Sequence, residues 1–235
     1  MDQVANAARG TTAQVQPSAV ALRWAPLDLL QTEMGALRRT LSADERVRAT
    51  GFERPRDRHR FIAARGWLRR LLGAELHCPP EEVELVTATN GKPEVAGSDV
   101  RFSAARSGGL ALFAIARGTE VGVDVEVIRP RADLDRVTSL FFSPNERRRL
   151  AALPAALRLR AAHQSWACKE AYVKGTGAGL DDEVRSVDTW TGTGAPARVG
   201  DWSVREVDLA PGFAAALAIH PGTCSVGQVQ GARIG

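Results

Sequence analysis

Val121-Gly122-Val123-Asp124-Val125-Glu126-Val127-Ile128 places a valine at every second position from 121 to 127. Successive side chains of a strand point to opposite faces, so the four valines share one face and Gly122, Asp124 and Glu126 share the other. The pattern predicts a strand with a buried apolar side. A second apolar stretch, Val20 to Leu27, begins 101 residues earlier, and it is the first of several landmarks that occur twice. Ser42-Ala43-Asp44-Glu45-Arg46 returns as Ser143-Pro144-Asn145-Glu146-Arg147, again at an offset of 101. Gly109 to Ile115 resembles Gly212 to Ile219 at an offset of 103, and Trp67 and Trp166 stand 99 apart. Four landmarks in one order at nearly one offset indicate an internal repeat.

Each half reads alike. A strand is followed by Ser-x-x-Glu, a capping box in which the serine hydroxyl and the glutamate satisfy free N–H groups of a helix's first turn. A long helix carrying the tryptophan comes next. The expectation is Arg60 to Leu72 in the first half, stopped by Gly73, and about Arg158 to Lys174 in the second, stopped by Gly175. Strands follow at Val83–Thr87, Val100–Ser103 and Leu110–Ala116, and their later partners are expected at Ser186–Trp190, Trp202–Val207 and Phe213–Ile219. Gly192 to Pro196 reads as a hairpin loop. Short strands around one long helix per half give an α+β fold: a pseudo-dimer of two similar subdomains, 18–120 and 121–230, with a cleft between them. Residues 1–17 are polar and rich in small side chains, which predicts a disordered leader.

The 235 residues are 44% hydrophobic, enough for one large or two small cores. Three cysteines without metal-type spacing suit a reduced, cytoplasmic protein. No apolar run is long enough to span a bilayer, so no membrane role is expected. A net charge of +4 suits a phosphate-rich ligand or an acidic partner. Nucleic acid would suit the charge as well, but no helix-turn-helix or RNA-binding signature accompanies it, so none is expected as a partner. Neither a phosphate-binding Walker sequence nor a Gly-x-Gly-x-x-Gly turn is present, and no pattern argues for zinc. Gly175-Thr176-Gly177-Ala178-Gly179 follows a helix, which suits a helix stop better than a phosphate cradle.

The halves differ in charge, and the differences carry the functional question. Asp124 and Glu126 would stand about 7 Å apart along their strand, beside a glycine that could let a ligand approach. The first-half equivalents are Arg23 and Ala25, so folding does not demand acids there. A bare Asp-x-Glu is by itself more often a solvated polar face. Helical spacing puts Trp166, Glu170 and Lys174 on one face, where Glu170 and Lys174 could equally form a surface ion pair. Cations gather in the first half, among them Arg48, Arg56 and Lys92; Lys92 sits in Gly91-Lys92-Pro93, a turn expected to hold it away from the backbone. One half would then supply cations for phosphates and the other carboxylates for a hard cation.

Taken together, Gly91-Lys92-Pro93, Val121 to Glu126, Phe141-Phe142-Ser143-Pro144-Asn145-Glu146 and Trp166-Ala167-Cys168-Lys169-Glu170-Ala171-Tyr172-Val173-Lys174 resemble the Sfp-type (surfactin synthetase-type) 4′-phosphopantetheinyl transferases, from about Val20 to His220. The resemblance implies an enzyme that moves the phosphopantetheine arm of coenzyme A onto a serine of an acyl or peptidyl carrier protein. It implies Mg²⁺, with Mn²⁺ as an alternative ion, held by Asp124, Glu126 and Glu170. Glu170 would also be the base and Lys174 the phosphate contact. Lys92, Arg56 and Arg48 would bind the 3′-phosphate end of coenzyme A. The family usually carries Asn-x-Ser-His-Ser before the metal strand; here Ala105 and Arg106 replace its Ser-His, and Arg106 keeps a cation able to grip phosphate. A monomer is expected, because the repeat already supplies both halves. The competing expectation is a catalytically impaired relative that still binds coenzyme A or a carrier.

Overall fold

The computed structural model describes residues 20–130, 132–179, 182–220 and 230–234. The expected leader, 1–17, lies outside the described residues. The chain runs β1 (Ala21–Pro26), α1 (Gln31–Arg39), α2 (Ala43–Thr50), α3 (Pro55–Leu76), β2 (Leu85–Thr87), β3 (Pro93–Val95), β4 (Val100–Ser107), β5 (Leu110–Arg117) and β6 (Val121–Val127). It continues through α4 (Leu134–Phe141), α5 (Pro144–Ala152), α6 (Ala155–Thr176), α7 (Asp182–Ser186), β7 (Ala197–Val199), β8 (Trp202–Glu206), β9 (Phe213–Ile219) and β10 (Gln230–Arg233). The fold is α+β, as the sequence predicts.

Among the described residues there are two four-stranded sheets, ordered β10-β1-β5-β4 and β6-β9-β8-β7, and a β2-β3 hairpin. All pairings are antiparallel except β10 with β1, which is parallel. β10, late in the chain, therefore completes the first sheet. The valine face of β6 works as predicted: Val121, Val123 and Val125 are at most 1% exposed. They pack with Leu217 and Ile219 of β9 against Leu22, Leu112 and Ala114 of the first sheet, so the two sheets share one apolar layer. Separate cores lie on the far sides, one around α3 with Phe61 and Leu68, the other around α6 with Trp166 and Ala167.

Where β4 meets β6 the sheets do not join by a ladder. Two serine hydroxyls do that work instead: Ser103 Oγ accepts from the Val123 N–H at 3.0 Å, and Ser107 Oγ from the Val127 N–H at 3.0 Å. A buried backbone donor left unpaired is costly, so these serines close the edge of β6.

Both capping boxes form. Ser42 and Glu45 exchange bonds at 3.1 and 3.3 Å, and Ser143 and Glu146 at 2.9 and 3.1 Å. The long helices overrun their expected ends. α3 passes Gly73 and stops at His77, in left-handed conformation at φ 55°. Gly73 is there for contact: a Cβ would meet the Cys78 carbonyl oxygen at 2.7 Å. α6 likewise passes Gly175 and stops at Gly177, φ 71°. The strand expected at Ser186–Trp190 does not form. Its backbone groups are taken by side chains: Lys169 donates to the Val187 carbonyl at 2.6 Å, and Glu146 accepts from the Thr189 N–H at 2.8 Å.

Candidate functional site

β6 and α6 bring the predicted acids and Lys174 together. They are backed against each other where Gly122 meets Gly175: a Cβ on Gly122 would lie 2.0 Å from the Ala171 carbonyl oxygen and 2.3 Å from the Gly175 nitrogen. The expectation that Gly122 opens room for a ligand is corrected here. It makes room for helix α6, and it is buried.

That contact sends Asp124 toward the last turn of α6. Asp124 is 4% exposed, and its Oδ1 accepts from Lys174 Nζ at 2.5 Å. Lys174 thus reaches across to the strand instead of along its helix to Glu170. The other oxygen, Asp124 Oδ2, is buried with no hydrogen-bond partner. Burial above all pushes the Asp124 pKa up to about 7; Lys174 pulls it down, and the charges of Glu126 and Glu170 push it further up. Glu126 is half-buried and accepts from Ser107 Oγ at 3.2 Å. Glu170 is half-buried too, and its pKa is raised, first by burial and then by Glu126, against the opposing pull of Lys174. The charge of Glu126 adds to the raised pKa of both Asp124 and Glu170, which marks a site short of positive charge.

Among the described residues no three His, Cys, Asp or Glu side chains stand in a ready-made metal cluster. The donors nonetheless fit a hard cation. Magnesium takes one or two carboxylates and completes its shell with water and phosphate oxygens. An orphaned Asp124 oxygen, with Glu126 and Glu170 beside it, is a partial shell of that kind.

Lys174 also lines two adjoining cavities, of about 320 and 340 Å³, which share Arg65, Leu68 and Ala104 as well. The first holds Arg48 and Arg106 over an apolar floor that includes Phe61 and Phe113. Arg48 lies over the Phe61 ring at 5.4 Å. Arg106 has no hydrogen-bond or ion-pair partner among the described residues, and it keeps an exposed edge. Desolvation of its inner part, followed by the charges of Arg48 and Arg60, lowers its pKa, with Asp57 opposing. Unpaired guanidinium groups crowded at one cavity suit a multiply charged anion.

Two predicted phosphate ligands are already engaged: Arg56 stands apart, and Lys92 lines the second cavity but turns its ammonium into the protein. Arg56 is exposed, pairs with Asp28 at 3.2 Å and lines a separate cavity. Lys92 is not held out from the backbone. It is 8% exposed, and its Nζ donates to Glu120 Oε2 at 2.6 Å, the Gly175 carbonyl at 2.8 Å and the Val121 carbonyl at 3.1 Å. An ammonium has three donors, so none remains for a phosphate. Arg65, which lines both cavities while paired to Glu45 at 2.6 Å, went unremarked in the sequence because it reads as an ordinary helix-surface charge.

A family model, the 4′-phosphopantetheinyl transferase superfamily, matches residues 120–218, which contain β6 and α6. The 4′-phosphopantetheinyl transferase HetI of Nostoc sp. is 35% identical over 200 residues, 83% of this chain and 84% of that protein. A phosphopantetheinyl transferase of Thraustochytrium sp. is 32% identical over 171 residues, 67% of this chain and 58% of that protein. The 4′-phosphopantetheinyl transferase psf-1 of Bacillus pumilus is 29% identical over 163 residues, 68% of this chain and 69% of that protein. With likeness that spans most of both chains, and with acids, lysine and basic cavity gathered at one place, this chain belongs to the 4′-phosphopantetheinyl transferase superfamily and is an enzyme of that class.

Proposed function

We propose that the enzyme is of the Sfp type and transfers 4′-phosphopantetheine from coenzyme A to a serine hydroxyl of an acyl or peptidyl carrier protein, releasing 3′,5′-ADP. The observation that carries this reading is the Lys174–Asp124 pair, one of whose members lines the arginine-rich cavity while the other offers an unpartnered carboxylate oxygen.

Arg48 and Arg106 bind the phosphate-rich end of coenzyme A by charge, over the apolar floor they share. Asp124, Glu126 and Glu170 hold Mg²⁺. The ion, when bound, offsets negative charge that develops on the pyrophosphate as the bond to the leaving group breaks. The carrier serine oxygen forms a bond to the β-phosphorus. The bond from that phosphorus to the bridging oxygen breaks, and its electron pair leaves with 3′,5′-ADP. Glu170 accepts the serine proton, directly or through a water; its raised pKa makes it a stronger proton acceptor than an ordinary carboxylate. Lys174 donates to an oxygen of the phosphate under attack. Because the nucleophile belongs to the partner, no nucleophilic triad is required of this chain. Two subdomains, 18–120 and 121–230, divide the work: cations from the first, carboxylates and Lys174 from the second.

The test is the intact mass of an apo carrier protein after incubation with enzyme, coenzyme A and Mg²⁺. A gain of about 340 Da that EDTA abolishes supports the reading. No gain across fatty acid, polyketide and nonribosomal peptide carriers, with coenzyme A still bound, overturns it in favour of an impaired relative.

A further inference from the structure

We propose that Lys92 is a positioning residue for the transfer, a clamp that fixes Lys174 against Asp124 from the opposite half of the chain. The inference rests on the reading that Lys174 touches the phosphate.

Lys92 stands just before β3 in the short β2-β3 hairpin, directly after a turn closed by the Gly91 N–H to the Ala88 carbonyl at 2.9 Å. The turn directs its ammonium into the contact between β6 and α6. There it bonds the Val121 carbonyl, at the first residue of β6, and the Gly175 carbonyl, in the last turn of α6. Asp124 is three residues from the first of these contacts, and Lys174 is the immediate neighbour of the second. One ammonium therefore ties together the two backbones whose side chains form the 2.5 Å pair.

Four observations support a clamp. Carbonyls in the last turn of a helix lack intrahelical partners, and a cation there also meets the negative end of the helix dipole. The backbones at Gly122 and Gly175 already lie in contact, and Lys92 bonds the carbonyl at 175 and the one adjacent to 122. The third acceptor, Glu120, is itself held by Arg101 Nε at 2.7 Å, so the anchor is braced from β4. The hairpin side packs in as well: a Cβ on Gly177 would strike the Asn90 side chain at 2.1 Å. Displacing a reacting group by about an ångström can lower a rate about a hundredfold.

Kinetics of Lys92→Met, Lys92→Arg and Glu120→Gln decide between a clamp and a phosphate ligand. The clamp predicts a kcat lowered roughly ten- to a hundredfold in Lys92→Met, with KM for coenzyme A changed less than about threefold. Lys92→Arg should not rescue it, because a planar fork cannot make three compact bonds to those acceptors. Glu120→Gln, at a partly exposed position, should lower kcat in the same sense and more mildly. A phosphate ligand would give the reverse: KM raised in Lys92→Met, restored in Lys92→Arg, and untouched in Glu120→Gln. That pattern overturns the clamp. Hydrogen exchange without substrate gives a readout independent of transfer. The clamp predicts faster exchange at the 173–177 and 121–124 amides of Glu120→Gln and Lys92→Met, with α3 unchanged. Unaltered protection there overturns it whether or not the wild type is active, whereas a wild-type enzyme that binds no coenzyme A would overturn the functional reading alone.

Discussion

Asp124 and Glu170 show what a few side chains impose on their surroundings. An ionised carboxylate that is 4% exposed, with one oxygen unpartnered, is poorly solvated, and its raised pKa records that cost. In metal-free enzyme the sign is definite. The folded pKa of about 7 lies above the ordinary value of 3.8, so the folded state holds a proton that the unfolded chain has already lost. That stabilisation is complete below pH ~4 and disappears as the pH rises through about 7. Asp124→Asn keeps an acceptor for Lys174 and removes the titration. In EDTA, its melting temperature should climb relative to wild type as the pH goes from 5 to 8, by an amount worth a few kcal/mol at most, at about 1.4 kcal/mol per pKa unit. Added Mg²⁺ at pH 8 should narrow the gap. A gap constant with pH would refute the buried charge. Glu170→Gln, at nearly the same shape, should lower transfer by about 10²- to 10⁴-fold if Glu170 takes the serine proton. Initial rates with a saturating carrier protein check it, and a loss under tenfold would exclude that role. Asp124 was marked in the sequence by the charge difference between the halves, Arg23 standing at the earlier position, and Glu170 by the resemblance to the family. Their burial was not legible: it depends on α6, which lies 30 residues or more along the chain.

The repeated Ser-x-x-Glu elements do more than cap. In each half the glutamate also reaches a cation on the following long helix. Glu45 Oε2 accepts from Arg69 of α3 at 2.5 Å, and Glu146 Oε2 pairs with Lys169 of α6 at 2.9 Å. The cap fixes where the short helix starts, and the ion pair fixes where the long one lies against it. Lys169 and Glu146 are both fully buried, and each has further partners: Lys169 bonds the Val184 and Val187 carbonyls, Glu146 the Thr189 backbone and hydroxyl. Removing one member of such a pair leaves a buried charge uncompensated, at a cost of about 3–5 kcal/mol. Lys169→Met should therefore lower the unfolding free energy measured in urea by that amount, while Glu146→Gln in the Lys169→Met background should cost less than it does alone. Additive losses in that cycle would show that the pair does not act as a unit. The capping boxes could be read from four residues of sequence. Their second bonds could not, because Arg69 and Lys169 lie more than 20 residues from the caps and resemble surface charges. The same long-range bonds explain why the Ser186–Trp190 stretch is not a strand.

At the scale of the whole molecule, the repeat announces two halves, but the contacts that join them are unlike anything in either half alone. Ser103 and Ser107 close the edge of β6, Lys92 crosses from the hairpin to α6, and β10 returns to the first sheet. Each is a lone polar residue or a late short strand, without periodicity to betray it, so periodicity exposed the halves and missed their junction. Beside that junction, within the second half, lies the close backing of β6 on α6, and it sets a graded test. An added methyl at Gly122 would meet backbone, the Ala171 carbonyl at 2.0 Å and the Gly175 nitrogen at 2.3 Å. At Gly175 it would meet chiefly the Trp202 ring, at 2.5 Å, with the Gly122 nitrogen 3.4 Å away. A ring can turn aside, but backbone yields only if α6 withdraws from the strand. Overpacking ordinarily costs about 1–3 kcal/mol, and Gly122→Ala should reach or exceed the upper end while Gly175→Ala stays near the lower. Gly122→Ala should also lose transfer beyond its loss of stability, because withdrawing α6 separates Lys174 from Asp124. Thermal unfolding and transfer rates measured well below the melting temperature distinguish the two effects. A Gly122→Ala enzyme with wild-type kcat would mean that the close approach of helix and strand serves packing alone.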